Sequence, residues 1–177
     1  MVGRNDILTA ALVVYHPGKT SVDIDVYPAY DGAAGPWGSF TSGAWKADYY
    51  KVGNADNTIS HEDSAWDVAV VGLSSPLGDK TGWYGMHSQQ GSGTYEVMGY
   101  PSAQGTQLTA DTGYAKFESG TYDISQIYHS FGSSGGPILN ANHEVVGVVS
   151  STAWGDRLDD EWGTVQQWIA GNDYLMT

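Results

Sequence analysis

A serine flanked by glycines stands in the second half of the chain, in the segment Phe131-Gly132-Ser133-Ser134-Gly135-Gly136-Pro137. A serine hydroxyl is a poor nucleophile unless the backbone fixes its geometry and a base takes its proton. Glycines on both sides allow a sharp turn in which the N–H groups of Gly132 and Ser134 converge on a developing oxyanion. The segment predicts acyl transfer on Ser134, although a glycine-serine loop without chemical meaning explains this pattern alone equally well.

A predicted hairpin follows this loop and favours the chemical interpretation. Pro137–Asn140 and Glu144–Val149 are predicted strands on either side of the turn Ala141-Asn142-His143. A Gly-x-Ser-Gly-Gly-Pro loop that leads into such a hairpin resembles the chymotrypsin-like serine peptidases. The resemblance implies a nucleophile at Ser134 and an oxyanion hole formed by Gly132 and Ser134.

The same resemblance assigns residues to substrate binding. It implies that Val149 lies on the strand that lines the specificity pocket, that Ser150 is the family's serine near the triad, and that Ser151–Trp154 is the segment that pairs with substrate backbone. It also implies that His129 lies on the pocket wall. In having no cysteine and in containing the segment Gly82-Trp83-Tyr84-Gly85, the chain resembles the bacterial glutamyl-endopeptidase branch. That branch has a pocket histidine where this chain has Val149, so its preference for glutamate is not carried over.

A candidate acid precedes the most apolar run of the first half. Trp66-Asp67-Val68-Ala69-Val70-Val71-Gly72-Leu73 resembles the family's Asp-x-Ala-x-x-x-Leu segment, which implies that Asp67 is the triad acid. In a triad, the buried carboxylate orients the imidazole and stabilises its charged form. Asp63 fits a turn aspartate better, because no apolar strand follows it directly.

The position of the base is the main departure from the family pattern. Ile7–Tyr15 matches the family's Thr-Ala-Ala-His segment on both sides, but the position of the histidine holds Leu12. Leucine cannot accept a proton. Loss of the base from such a triad costs about 10⁶ in turnover, whereas about 10³–10⁴ over water remains. His16 is the alternative base closest in sequence, and the other histidines are interpreted as solvated or hydrogen-bonded: His61, His87, His129 and His143.

Composition excludes several other classes of site. The chain has no cysteine, which excludes disulfides, zinc-thiolate centres and cysteine nucleophiles. Its formal net charge of −13 argues against a nucleic-acid partner. Asp159-Asp160-Glu161 lacks the spacing of a calcium loop, so we expect no metal or cofactor.

No apolar run reaches the roughly 18 residues of a membrane span, and the first residues show no signal peptide.

Glycine-rich, aromatic-rich segments with short apolar runs predict an all-β protein. Ser21–Tyr27 alternates apolar and acidic residues and is predicted as a half-buried strand. The other predicted strands are Val68–Leu73, Thr94–Tyr100, Gln107–Phe117 and Val145–Ser150, and Ala29–Tyr50 is predicted as long loops with some strand. Glu161–Ala170 has helical spacing, with Gly171 as its stop. This is the only helix the sequence predicts.

The resemblance implies two perpendicular β-barrels with the active-site cleft between them, followed by a short C-terminal helix. Residues 1–88 are predicted to form the first barrel, with Asp67 and Leu12 and with its first strand truncated or missing. Residues 89–177 are predicted to form the second barrel, with Ser134 and the helix. We expect a secreted bacterial monomer, since the family implies secretion.

Three functions compete at this point. The first is a trypsin-like serine hydrolase that cleaves peptide or ester bonds through an acyl-enzyme on Ser134, impaired or inactive because of Leu12. The second is a natural pseudoprotease that acts as a binding module. The third is an unrelated β-rich protein that binds carbohydrate through its aromatic residues. No motif in the sequence supports this third function. The intact serine loop and acid favour the first.

Overall fold

The computed structural model describes residues 1–15, 23–32, 35–47, 60–88 and 91–176. Four antiparallel strands form the first sheet: β1 (Asp6–Thr9), β2 (Asp25–Val26), β3 (Phe40–Ala47) and β4 (Ala69–Leu73). Their order is β1-β4-β3-β2. All five residues of β4 are buried, which explains why this strand is continuously apolar and does not alternate. The predicted strand Ser21–Tyr27 contributes only β2, and residues 21 and 22 lie outside the described part.

Six antiparallel strands close into a barrel in the order β10-β7-β6-β5-β8-β9. They are β5 (Gly93–Gly99), β6 (Thr109–Glu118), β7 (Thr121–Asp123), β8 (Pro137–Leu139), β9 (Val145–Val149) and β10 (Trp154–Arg157). A cluster of buried aromatic and branched side chains fills its interior, in which the Tyr95 and Tyr122 ring centroids lie 4.8 Å apart. Closure leaves no unpaired edge.

The prediction of an all-β, barrel-based fold with a C-terminal helix is confirmed. The described residues of the first half form a four-stranded sheet, and the second half forms the closed six-stranded barrel. The predicted division at residue 88 stays a prediction. All four strands of the sheet precede it, and all six strands of the barrel follow it.

Three one-turn helices were not predicted: α1 (Ala11–Val14), α2 (His61–Ser64) and α3 (Gly78–Thr81). A capping box begins α2, because Ser60 Oγ accepts from the Asp63 N–H at 3.1 Å and Asp63 Oδ2 accepts from the Ser60 N–H at 2.8 Å. The role of Asp63 is therefore local. Helices this short lack the two turns over which a 3.6-residue period is recognisable.

The C-terminal helix α4 spans Leu158–Asn172 and continues into a 3₁₀ turn, Asp173–Met176. The prediction that Gly171 ends it is wrong. The helix end is anchored in the first sheet instead, since the Asn172 side chain donates to Asp6 Oδ1 at 3.0 Å and the Asn172 carbonyl accepts from Asn5 at 3.0 Å. Long-range contacts of this kind override a local stop signal.

A second core joins the sheet, the barrel and α4. Leu158 and Val165 of α4 pack with Val68 and Val70 of the first sheet region and with Leu139 and Val145 of the barrel. We call this set the junction core. Within the described residues, no helix is long and apolar enough to cross a bilayer.

Candidate active site

The serine loop lies between the barrel and the first sheet. The Gly135 N–H donates to the Val149 carbonyl at 2.7 Å, and the Val149 N–H donates to the Gly136 carbonyl at 2.8 Å, which ties the loop to β9. Gly135 has a φ of +81°. A side chain there would collide with Thr9 Oγ1 of β1. Glycine is therefore needed both for the turn and for the close approach of the first sheet.

Hydrogen bonds fix the orientation of the two peptide groups that contain the Gly132 and Ser134 amides. The Phe131 carbonyl accepts from the Ser102 N–H at 2.7 Å, and the Ser133 carbonyl accepts from the Gly136 N–H at 2.9 Å. In a planar trans peptide the N–H points opposite to the carbonyl, so the Gly132 and Ser134 amides point away from these partners. Neither amide donates a hydrogen bond to another described residue. Both amides are therefore without a hydrogen-bond acceptor within the described residues.

The carboxylate of Asp67 is fully buried and held at both oxygens. Oδ1 accepts from the Leu12 N–H at 2.8 Å, and Oδ2 accepts from the Ser150 hydroxyl at 2.6 Å. Burial raises the pKa of Asp67 to about 6, while the hydrogen bonds from Ser150, Leu12 and Ala11 act in the opposite direction. At neutral pH this carboxyl is predominantly ionised, and a hydroxyl and backbone amides compensate its charge.

Ser150 connects the acid with the candidate nucleophile. Its carbonyl accepts from the Ser134 hydroxyl at 3.3 Å, while its own hydroxyl donates to Asp67. Ser150 Oγ also lies 3.1 Å from Ser64 Oγ of α2. Sequence reasoning missed Ser64, because a serine in a one-turn helix carries no spacing signal. The structure thus brings Ser134, Ser150 and Asp67 into one hydrogen-bonded chain.

Leu12 lies next to this series of hydrogen-bonded residues. It belongs to α1, directly after β1, and its half-buried side chain lines the same cavity as Ser134. Its backbone N–H donates to the Asp67 carboxylate, while its side chain lines the cavity that Ser134 also lines. A leucine side chain has no atom that accepts the hydroxyl proton.

No described histidine contacts Ser134. His61 lies 2.7 Å from Thr121 Oγ1 and stacks on Trp154, with 4.0 Å between the ring centroids. His143 is exposed and lies 3.6 Å from Glu96. The backbone N–H of His87 donates to the Val145 carbonyl. His16, the alternative base, lies outside the described residues.

The cavity at the site has a volume of about 300 Å³. Its lining combines apolar and hydroxyl side chains and contains no charged group among the described residues: Leu12, Ser130, Phe131, Ser134, Val149, Ser150, Ser151 and Thr152. His129 lies behind this lining, where its ring nitrogens are 2.7 Å from the Ile127 carbonyl and 3.2 Å from the Ser151 carbonyl. Val149, Ser150 and Ser151 thus line the cavity, whereas His129 braces it. No cluster of metal-ligating side chains occurs in the described part of the chain.

A family model, that of the trypsin-like peptidase domain, matches residues 1–148. The chain belongs to the trypsin-like peptidase family. The match covers Leu12, Asp67 and Ser134, and membership of a peptidase family implies a peptide or protein substrate. The family resemblance inferred from the serine loop and the Asp67 segment is confirmed.

Solved structures agree on the fold. A structure of Glu endopeptidase in complex with MPD superposes with a TM-score of 0.78 at 21% identity, covering 97% of this chain and 83% of that one. Rv3671c of M. tuberculosis, solved as a serine-to-alanine mutant in an inactive form, superposes with a TM-score of 0.58 at 17% identity. That match covers 96% of this chain and 80% of the other. At these identities the likeness concerns the chymotrypsin-like fold alone.

Proposed function

We propose that this trypsin-like peptidase domain forms an acyl-enzyme on Ser134, with Asp67 as the acid and with Leu12 in the position of the base. The observation that carries the proposal is the chain of contacts from the Ser134 hydroxyl through Ser150 to Asp67, beside the Leu12 side chain. The outward-facing amides of Gly132 and Ser134 supply the oxyanion donors. This arrangement has the parts of a serine hydrolase apart from a proton acceptor.

The contact of Ser134 with Ser150 supports the proposal that this site, without a base, hydrolyses substrates slowly. A peptide carbonyl accepts a hydrogen bond but does not take up a proton near neutral pH, so the Ser134 hydroxyl stays protonated. Attack on a peptide bond then lacks general-base assistance, which contributes about 10²–10⁴-fold in rate. Activated esters, whose leaving group needs less help, are the substrates that such a site still turns over.

The lining of the cavity suggests the substrate. Hydroxyl and apolar side chains surround it without a charged group among the described residues. A neutral side chain of moderate size therefore suits this cavity better than a glutamate, whose carboxylate would lose water without gaining a cation.

Restoring the base tests this proposal. Leu12→His should raise hydrolysis of a peptide or activated ester by about 10²- to 10⁶-fold, from general-base assistance alone up to the full cost of a lost base, because the imidazole would stand between the acid and the nucleophile. Ser134→Ala in the Leu12→His background is the control and should remove the gain. A serine-directed phosphonate should label Leu12→His at Ser134 and should not label the double variant.

Two outcomes would contradict the proposal. If Leu12→His leaves activity unchanged while His16→Ala abolishes it, the base is His16 and Leu12 does not occupy its position. If neither substitution matters and the phosphonate labels no variant, the domain is a binding module on a peptidase fold. The replacement of a base by Leu12 is the observation that favours this second candidate.

A further inference from the structure

Asp156 of β10 is a carboxylic acid that the site described above does not use. Its relative exposure is 0%, and neither carboxyl oxygen has a hydrogen-bond partner of good geometry in the described part of the chain. A buried carboxylate is normally paired or hydrogen-bonded, since an unpaired charge is strongly disfavoured away from water. Asp156 therefore needs another way to avoid an uncompensated charge.

The strand register places Asp156 at the junction between the barrel and the first sheet. It lies opposite Thr121 of β7 and Val148 of β9. Cross-strand partners share a face of the sheet. That face packs against α2, because Thr121 Oγ1 lies 2.7 Å from His61 of this helix. The same junction contains Asp67, which accepts from Ser150 at the end of β9.

The charged side chains around Asp156 do not neutralise it. Asp67 approaches from the first sheet region, and Glu161 and Asp160 approach from α4, and all of these raise its pKa. The cation next to it in sequence, Arg157, turns elsewhere. Its guanidinium forms ion pairs with Asp159 at 2.9 Å and with Asp160 at 2.8 Å, and lies 3.7 Å from the Phe117 ring centroid.

Burial is the largest cause that raises the pKa of Asp156 well above its usual range, followed by the charges of Asp67 and Glu161. The Arg157 N–H acts weakly in the opposite direction. When two interacting acids are removed from water, the one with hydrogen-bond donors ionises first. Asp67 has the Leu12 N–H and the Ser150 hydroxyl, whereas Asp156 has no such donors of good geometry among the described residues.

We propose that Asp156 is a positioning residue for Asp67, which keeps its own proton at neutral pH so that the negative charge beside Ser150 resides on Asp67. As a neutral acid, Asp156 adds no further negative charge next to Asp67. A further charge there would raise the pKa of Asp67 and weaken its hold on the Ser150 hydroxyl. The inference rests on the proposed function only in taking Asp67 as the triad acid.

Carbon-13 NMR of the aspartate carboxyl groups tests this inference on the unmodified protein, from about pH 4 to about pH 9. Asp156→Asn identifies the Asp156 resonance by its loss. We expect this resonance to remain that of the protonated acid above the pH at which Asp67 ionises. Asp67 should keep its midpoint near 6 in Asp156→Asn, because a neutral amide then replaces a neutral acid.

Two NMR results would overturn the proposal. In the first, Asp156 ionises together with the exposed aspartates. In the second, Asp156→Asn lowers the midpoint of Asp67, which would mean that Asp156 carried a charge. If the variant does not fold, the wild-type titration still decides the question without an assignment: one aspartate carboxyl that stays protonated above the pH at which Asp67 ionises supports the proposal, and the absence of such a carboxyl overturns it.

The pH dependence of unfolding gives an independent readout. Above about pH 4, an acid with a raised folded-state pKa binds a proton in the folded chain that the unfolded chain has lost. Stability then falls as pH rises, and this group contributes up to about a tenfold increase in the unfolding equilibrium constant per pH unit. Asp156→Asn should remove that contribution, whereas Asp23→Asn at an exposed site should not.

Equal pH slopes of unfolding for the wild type and Asp156→Asn would contradict the inference. Neither the titration nor the unfolding measurement depends on hydrolysis. An inactive Leu12→His variant would therefore argue against the proposed function without touching the role of Asp156.

Discussion

Ser150 makes one contact with each half of the candidate site. Its carbonyl receives the Ser134 hydroxyl, and its side chain binds the carboxylate of Asp67. Because the backbone of Ser150 is fixed by the barrel, through its N–H bond to the Trp154 carbonyl at 3.1 Å, the acid is held in register with the nucleophile. The hydroxyl proton of Ser150 is thus a link between the barrel and the first sheet.

Replacing Ser150 with alanine should raise the pKa of Asp67 above 6, because the hydrogen bond that it loses favours the ionised form. Above that pH the variant should be less stable than the wild type by about 1–3 kcal/mol, since the buried carboxylate loses a donor. Below about pH 4 the difference should shrink, because Asp67 is then protonated. Urea unfolding at several pH values measures this. A loss of stability independent of pH would indicate a packing defect instead.

Sequence reasoning named the residues that carry local signals. Ser134 is marked by its glycines and Asp67 by the apolar strand that follows it, and the structure brings them together through Ser150. Ser64 and Asp156 carry no such signal, because their roles arise from contacts between segments distant in sequence. The family resemblance implies a place for His129 on the pocket wall, whereas its ring lies against the Ile127 and Ser151 carbonyls and is not among the cavity's lining residues.

The serine loop depends on backbone conformation at the scale of the element. Gly132 has a φ of +96°, and a side chain there would meet the Tyr100 carbonyl at 2.7 Å. The Phe131 peptide, which is held by Ser102, turns the Gly132 amide outward. Glycine at this position is therefore needed for the peptide orientation on which the proposed oxyanion hole depends.

Gly132→Ala should destabilise the protein by about 1–3 kcal/mol and, in the Leu12→His background, lower turnover by about 10²–10³-fold, because the peptide must rotate to relieve the contact. Gly105→Ala is the matched control, since Gly105 also has a positive φ, +66°, but has no atom within 4 Å of an added side chain. Gly105→Ala should lower the stability of the protein through the strained backbone but should not lower turnover. Equal losses of turnover in both variants would exclude a specific oxyanion role for Gly132.

The helices show where local patterns are insufficient. The apolar spacing of Glu161–Ala170 predicts the middle of α4 correctly, but the helix begins at Leu158 and runs past Gly171. Acidic residues in its first turn favour the earlier start, because they complement the positive end of the helix dipole. Its end is decided by Asn172, whose bonds to the first sheet are invisible in the sequence.

At the scale of the molecule, the junction core makes the sheet and the barrel interdependent. The strand patterns predict an all-β protein, and the family resemblance implies its division into two β units and their mutual arrangement. No pattern in the sequence identifies which apolar side chains of the barrel pack in the junction core and which pack in the barrel interior. Val145 belongs to the junction core, whereas its neighbour Val146 belongs to the barrel interior.

Leu158 tests that interdependence, because its fully buried side chain joins residues of the sheet and of the barrel. Leu158→Ala should destabilise the protein by about 2–5 kcal/mol, through the lost burial and the cavity left behind. Leu108→Ala at an exposed position is the control and should change stability by less than about 0.5 kcal/mol. Since the junction core holds both units, urea unfolding followed by tryptophan fluorescence and by circular dichroism should give one coincident transition in each variant. Two separate transitions in Leu158→Ala would mean that the barrel keeps its structure without the first sheet. The junction core would then position the active site without being needed for folding of the barrel.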